Sequence, residues 1–302
     1  MNNASWINLL LPLVLAPLSF GIINRVKAWF AGRKGQPLLQ GYFDIIKLCK
    51  KDFVYSKTVT PVFRLAPVVG LAASLFIITL LPVFSSAPLL SFPGDIIVIA
   101  YFFGLARFLM IIAALDTGSS FEGMGASREA FYSLIAEISI FVIFIVMALS
   151  CHAFSLKDIF AVLPGKMGSF PLLLLLACSL FVILLLECCR IPFDDPNTHL
   201  ELTMIHEVMV LDYGSADLAM VEYASALKMW IFASLIVQIL IPDIFSNYAI
   251  AQVVNVAGIF SVAAVVGVIE SIIARFRLRK IPYILMGLFG LLTFAFIYMR
   301  FA

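Results

Sequence analysis

Eight runs of mostly apolar residues, roughly 5–24, 65–84, 95–115, 129–150, 170–187, 225–242, 249–270 and 282–299, constrain this chain more than any other feature. A helix needs about 20 such residues to cross the hydrocarbon core of a bilayer. Within that core the backbone must satisfy its own hydrogen bonds, so the expected fold is all-α. Composition agrees: 63% of the 302 residues are hydrophobic, 13% are charged, and mean hydropathy is +1.09. That is too little charge to cover the surface of a soluble chain. Turn-forming residues fall at or near the ends of the runs, among them Pro82, Pro93-Gly94, Pro164-Gly165, Pro242 and Pro282. Residues 1–302 therefore read as a single polytopic membrane domain.

Orientation follows from where Lys and Arg sit. With the N-terminus outside, the inward segments 25–64, 116–128, 188–228 and 271–281 hold nine, one, two and four basic residues, sixteen of the twenty. The outward side keeps Lys157, Lys166 and Arg300, and Arg107 lies within the third run. This bias follows the positive-inside rule and puts both termini outside. Residues 1–5 carry no Lys or Arg, and Arg25 and Lys27 follow the first run, so that run reads as a retained span rather than a signal peptide. Two inward loops are long, 25–64 and 188–224. Within the first, 37–51 sets Leu38, Leu39, Phe43, Ile45 and Ile46 against Asp44, Lys47, Lys50 and Lys51, an amphipathic helix too short to span that should lie at the cytoplasmic interface. A net charge of +2 offers no basic field for nucleic acid.

Ionisable groups inside a span are costly and mark function by default. Arg107 lies nine residues before Asp116, and Glu137 nine residues after Arg128. The two spans run oppositely, so Arg107 and Glu137 should meet at a similar depth, about 13 Å in at 1.5 Å per residue. Glu129, Ser133 and Glu137 recur at four-residue steps, a polar ladder leading inward. Glu187, Asp194, Glu201 and Lys228 gather near the same end of the spans, and Glu122 reads as an exposed loop residue. Carboxylates with an Arg and a Lys are what a proton relay requires, so Glu137, Glu187, Glu201, Arg107, Glu129, Asp194 and Lys228 are its candidate members. His206-Glu207 begins like a zinc-protease motif, but position 210 is Val. Cys49, Cys151, Cys178, Cys188 and Cys189 form no C-x-x-C pair, so neither a metal site nor a catalytic residue is expected in this chain.

The stretch E-C-C-R-I-P-F-D-D-P-N-T-H-L-E-L at 187–202 resembles the signature loop of the membrane heel subunit of respiratory complex I, in Glu187, Arg190, Pro192, Phe193, Asp194, Pro196, Glu201 and Leu202. Arg128 and Glu137 keep that family's Arg-to-Glu spacing, and Gln40, Asp44 and Lys47 sit in a similar first inward loop. L-D-T-G-S-S-F-E-G-M-G-A-S-R-E-A at 115–130 looks like the membrane subunits of formate hydrogenlyases and energy-converting NiFe hydrogenases. Asn197 and His199 replace Glu residues usual in the quinone-linked branch, which points away from a quinone-reducing site.

The resemblance implies a non-catalytic connector subunit of an oxidoreductase complex in the cell inner (cytoplasmic) membrane. It would dock peripheral subunits on its cytoplasmic loops, where Arg190, Pro192, Phe193, Asp194, Pro196, Gln40, Asp44 and Lys47 form a docking or loop motif, and couple their redox chemistry to proton translocation. Its implied partners are hydrogenase-like large and small subunits and iron–sulfur subunits on the cytoplasmic face, with antiporter-like subunits in the bilayer. Iron–sulfur clusters and NiFe would belong to those partners, and this chain would hold no cofactor. Two alternatives stay open: the quinone-binding subunit of an NADH dehydrogenase-like complex, with quinone between the first span, the amphipathic helix and the sixth span, and a free-standing secondary transporter.

Overall fold

The computed structural model describes residues 3–84, 87–166, 170–195, 204–241 and 247–301. Eight helices are long and apolar enough to span a bilayer: α1 (Asn3–Phe30), α3 (Pro61–Leu80), α4 (Asp95–Asp116), α5 (Ser120–Cys151), α7 (Phe170–Glu187), α8 (Ser215–Leu240), α9 (Tyr248–Ile272) and α10 (Ile281–Phe301). Two shorter helices lie between them, α2 (Gln40–Cys49) and α6 (Leu156–Lys166), and the described residues contain no β-strand. The protein is an all-α, multi-pass membrane protein.

Packing sorts the helices into centre and rim. The apolar window of α8 is 72% buried and that of α10 only 28%, so α8 is the axis around which the others gather. It packs on α1, α2, α3, α7 and α9, while α10 leans on α5. Trp230, Phe232 and Ile236 of α8 are enclosed together with Phe103 of α4, and the Phe103 and Phe232 rings stack with centroids 5.0 Å apart. Exposed positions along the spans stay apolar, as Val14, Met286, Phe294 and Tyr298 illustrate, which is the surface a hydrocarbon solvent demands.

Several helices outrun the apolar runs that announced them. α5 begins at Ser120 rather than near 129, and α8 at Ser215 rather than near 225, so the second long loop closes ten residues early. An apolar window detects the stretch immersed in lipid, whereas backbone hydrogen bonding carries the helix on through Glu122, Asp217 and Glu222. The extension corrects the reading of Glu122. Far from an exposed loop, it lies in the first turn of α5 with no solvent exposure, and its Oε1 accepts a hydrogen bond from Asp212 N at 3.0 Å. The helix α6, not foreseen, is held by buried Leu156, Ile159, Phe160 and Leu163. Buried Asp95 accepts from Leu156 N and from Ser155 Oγ, both at 2.8 Å, which satisfies an otherwise orphaned donor at the start of α6.

Candidate functional site

Arg107 is the hub of the interior charges. α4 is otherwise apolar around it, and its guanidinium reaches across to α5 and α7. Nη2 donates to Glu187 Oε1, Nη1 donates to Ser133 O at 3.2 Å, and Glu129 and Glu137 each approach it at 3.8 Å. Lys228 on α8 stands 3.5 Å from Glu187 Oε2 and donates to Glu187 O at 3.4 Å. Glu187 ends α7, where the helix dipole is unfavourable to a carboxylate, and the two cations offset that. Gly104, one turn before Arg107, makes room for the group: a Cβ there would stand 2.6 Å from Glu137 Oε1.

The relay residues read from sequence thus divide. Arg107, Glu129, Glu137, Glu187 and Lys228 form one cluster, in which the Arg107–Glu137 meeting holds but Glu187 is the closer partner. Glu201 lies outside the described residues. Asp194 belongs to another construction: it accepts from Ile205 N, His206 N and Asp195 N, each at 3.0 Å, and pairs with Arg275 at 2.9 Å. Burial raises its carboxyl above the usual range, opposed by those donors and by Arg275.

The residues assigned to docking are largely turned inward. Arg190 pairs with Glu270 at 3.6 Å and lies over the Phe20 ring at 4.4 Å, and Glu270 is also 2.8 Å from Lys27. Phe193 is 2% exposed and meets Phe276 edge-on, while Pro192 O accepts from Phe276 N. Arg190, Phe193 and Asp194 therefore grip this chain's own α1, α9 and the segment after α9, as parts of a loop motif rather than as contacts for a partner. Pro196 lies outside the described residues. Gln40 donates to Asp44 at 2.7 Å, and both face inward, while Lys47 is exposed.

Two cavities adjoin the cluster. One of about 60 Å³ is lined by Arg107, Glu129, Glu187, Lys228, His206 and Ser225, polar enough to hold a few waters at the 10–15 Å³ each that a cavity water needs. The other, about 280 Å³, opens between α1, α2 and α8. It shares His206 and Ser225 with the first and is lined also by Gln40, Asp44, Glu207 and Glu222. Desolvation and nearby Asp194 and Glu222 push Glu207 up to about 7, whereas desolvation and nearby Lys228 hold His206 down to about 4. A carboxyl that titrates near neutrality beside a neutral imidazole can pass protons. Neither residue stood out in the sequence, because Glu207 falls among many loop carboxylates and His206 lies in no apolar span.

Chemically, three carboxylates in the interior cluster face two cations, leaving one negative charge unbalanced inside a span. One shared proton would balance the group, and the site has water space on its loop side and Glu137, 32% exposed, on the outer flank of α4 and α5.

Comparison with known proteins places these features. The model of a family described as NADH dehydrogenase matches residues 4–301. Formate hydrogenlyase subunit 4 of Escherichia coli (strain K12) is 31% identical over 292 residues, 94% of each chain. Hydrogenase-4 component C of the same strain is 34% identical over 233 residues, 76% of this chain and 72% of its own. Among solved structures, a chain of the membrane-bound sulfane sulfur reductase, an archaeal respiratory membrane complex, superposes with a TM-score of 0.83 at 18% identity, covering 98% of both chains, a likeness of fold.

Proposed function

As this chain belongs to the NADH dehydrogenase family and is a complex I-like membrane subunit, we propose that it is the connector through which peripheral redox subunits drive an ion-translocating membrane partner, in an energy-converting hydrogenase or formate hydrogenlyase type of complex in the inner membrane. The observation that carries this reading is the buried cluster of Arg107, Lys228, Glu129, Glu137 and Glu187 with an unbalanced charge. Protons reach it from the loop side past Glu207 and His206, through the two adjoining cavities. They leave toward Glu137, whose flank presents exposed Tyr101, Phe108, Leu134 and Ile138. A carboxylate facing hydrocarbon is costly, so a membrane subunit covers this flank and offers Glu137 a polar or cationic group. Peripheral subunits dock on the loop face, where exposed Lys47, Lys50, Lys51, Arg277, Arg279 and Lys280 lie, and the redox groups, iron–sulfur clusters and NiFe, reside in them. The test is redox-driven ion uptake into vesicles carrying the complex. Glu137→Gln should preserve complex yield and abolish uptake, and normal uptake with normal yield overturns the relay.

The 280 Å³ cavity favours one second reading. It lies where the quinone-linked branch would place its ligand, between α1, α2 and α8. On that reading the complex needs a quinone for activity and the purified protein retains one. Hydrogen evolution without added quinone excludes it, and purification of the chain without partners would favour a free-standing transporter over both.

A further inference from the structure

The loop after α1 builds a second, separate site. α1 ends in a Schellman motif: Gly32 N donates to Trp29 O at 3.1 Å and Arg33 N to Ala28 O at 2.8 Å, with Gly32 at φ +65°. Glycine at that left-handed position lets the chain reverse sharply under the helix end. The reversal brings Lys34 back to Arg25, whose Nη1 donates to Lys34 O at 2.6 Å. Arg25, Arg33 and Lys34 thereby converge with Val26 and Trp29 around a hollow of about 310 Å³.

Three features give this hollow a ligand class. No carboxylate lines it, and none of its three cations has an ion-pair partner among the described residues, since nearby Glu270 is taken by Lys27 and Arg190. Its wall includes Trp29, 76% exposed, beside exposed Phe30, and an amphipathic ring at a helix end marks the level of lipid headgroups. The neighbouring helix α2 carries exposed Phe43 and Ile46, with exposed Leu38 and Leu39 just before it, an apolar face for the acyl boundary. Positive charge at headgroup depth, bordered by apolar surface, is complementary to an anionic phosphodiester with acyl chains. We propose that this hollow is a binding site for an anionic glycerophospholipid, whose phosphate is held by Arg25, Arg33 and Lys34 and whose chains lie along α1 beside Trp29.

The test uses the full chain in nanodiscs and native mass spectrometry, with phosphatidylglycerol and phosphatidylcholine of identical acyl chains as probes. The site predicts at least a tenfold preference for phosphatidylglycerol. Each Lys or Arg near an anionic lipid surface contributes about fivefold in affinity. The triple variant Arg25→Gln/Arg33→Gln/Lys34→Gln should therefore erase the preference. Because Arg25 also ties the loop, Arg33→Gln/Lys34→Gln serves as the second variant; it keeps that bond and should still lose about 25-fold. Lys50→Gln/Lys51→Gln, which removes charge elsewhere on the same loop, should leave the preference unchanged. Equal retention of both lipids overturns the proposal, as does an equal loss in the Lys50/Lys51 variant. Full displacement by inorganic phosphate makes it a site for free phosphate. Crosslinks from these positions to an acidic partner subunit, with lipid excluded, make it a protein contact.

Discussion

Two sets of buried charges, close together at one end of the bundle, are built from the same residue types and do different work. In the clasp, Glu270 is flanked by Lys27 and Arg190, and Asp194 by Arg275 and three backbone N–H groups. Each of its carboxylates has a cation within 3 Å, and the segments it joins come from α1, the loop after α7, and the chain after α9. In the interior cluster only Glu187 is held closely, and Glu129 and Glu137 stand 3.8 Å from Arg107 beside space for water. Glu270 and Asp194 are each held by a cation of their own, and the loss of either carboxylate leaves a buried charge bare. A carboxylate sharing a cation with two others is one proton short of balance, and that proton belongs to the group rather than to one residue. The lesson is that stoichiometry and spacing, rather than burial, separate a structural ion pair from a relay.

The largest expected effect lies in the clasp. Glu270→Gln strips both Lys27 and Arg190 of their partner, and breaking a buried pair costs about 3–5 kcal/mol. The yield of monodisperse protein and its thermal midpoint should fall together. A stable Glu270→Gln protein that has lost only ion uptake would move Glu270 into the relay and collapse the distinction.

A smaller loss tests the corrected residue. Glu122→Ala removes the buried acceptor of Asp212 N, for about 1–3 kcal/mol. An exposed loop position would give a shift too small to measure in the same thermal assay.

The pH dependence of stability sharpens the boundary between the two regions, where Glu207 and His206 lie. Glu207 is raised from 4.5 to about 7, so the folded state binds the extra proton and stability falls as pH rises from 4.5 to 7. His206 is lowered from 6.5 to about 4, so its contribution rises with pH between 4 and 6.5 and masks part of that fall. Glu207→Gln removes one of the two opposing contributions. Relative to wild type, the variant should gain stability on going from pH 4.5 to pH 7, by about 2–3 kcal/mol given that one pKa unit is worth about 1.4 kcal/mol. Parallel curves for the two proteins would mean that Glu207 is solvated like an ordinary carboxylate.

How far the sequence could be read depended on whether a feature is local. The spans were legible because each is one continuous apolar run. The Arg107–Glu137 meeting was legible because two antiparallel neighbours share a depth scale. The primacy of Glu187 was not, because it arrives on α7, 80 residues from Arg107. Glu270 was passed over for the same reason: Lys27 and Arg190 come from distant parts of the chain. α6 was missed because eleven amphipathic residues show no apolar run, and its buried face exists only where α5 and α8 supply a surface. The loop signature around Arg190 identified the family, yet its residues face inward, since a signature records what must be kept and not which way it points.

The central claim is the shared proton of the interior cluster, and infrared difference spectroscopy of the purified protein tests it most directly. With Glu207→Gln as background, the account predicts a protonated-carboxyl band at neutral pH. Because removing any one of three carboxylates balances the two cations, Glu129→Gln, Glu137→Gln and Glu187→Gln should each abolish that band, while Asp194→Asn should not. A spectrum with no such band, or a band that survives all three substitutions, would contradict the account.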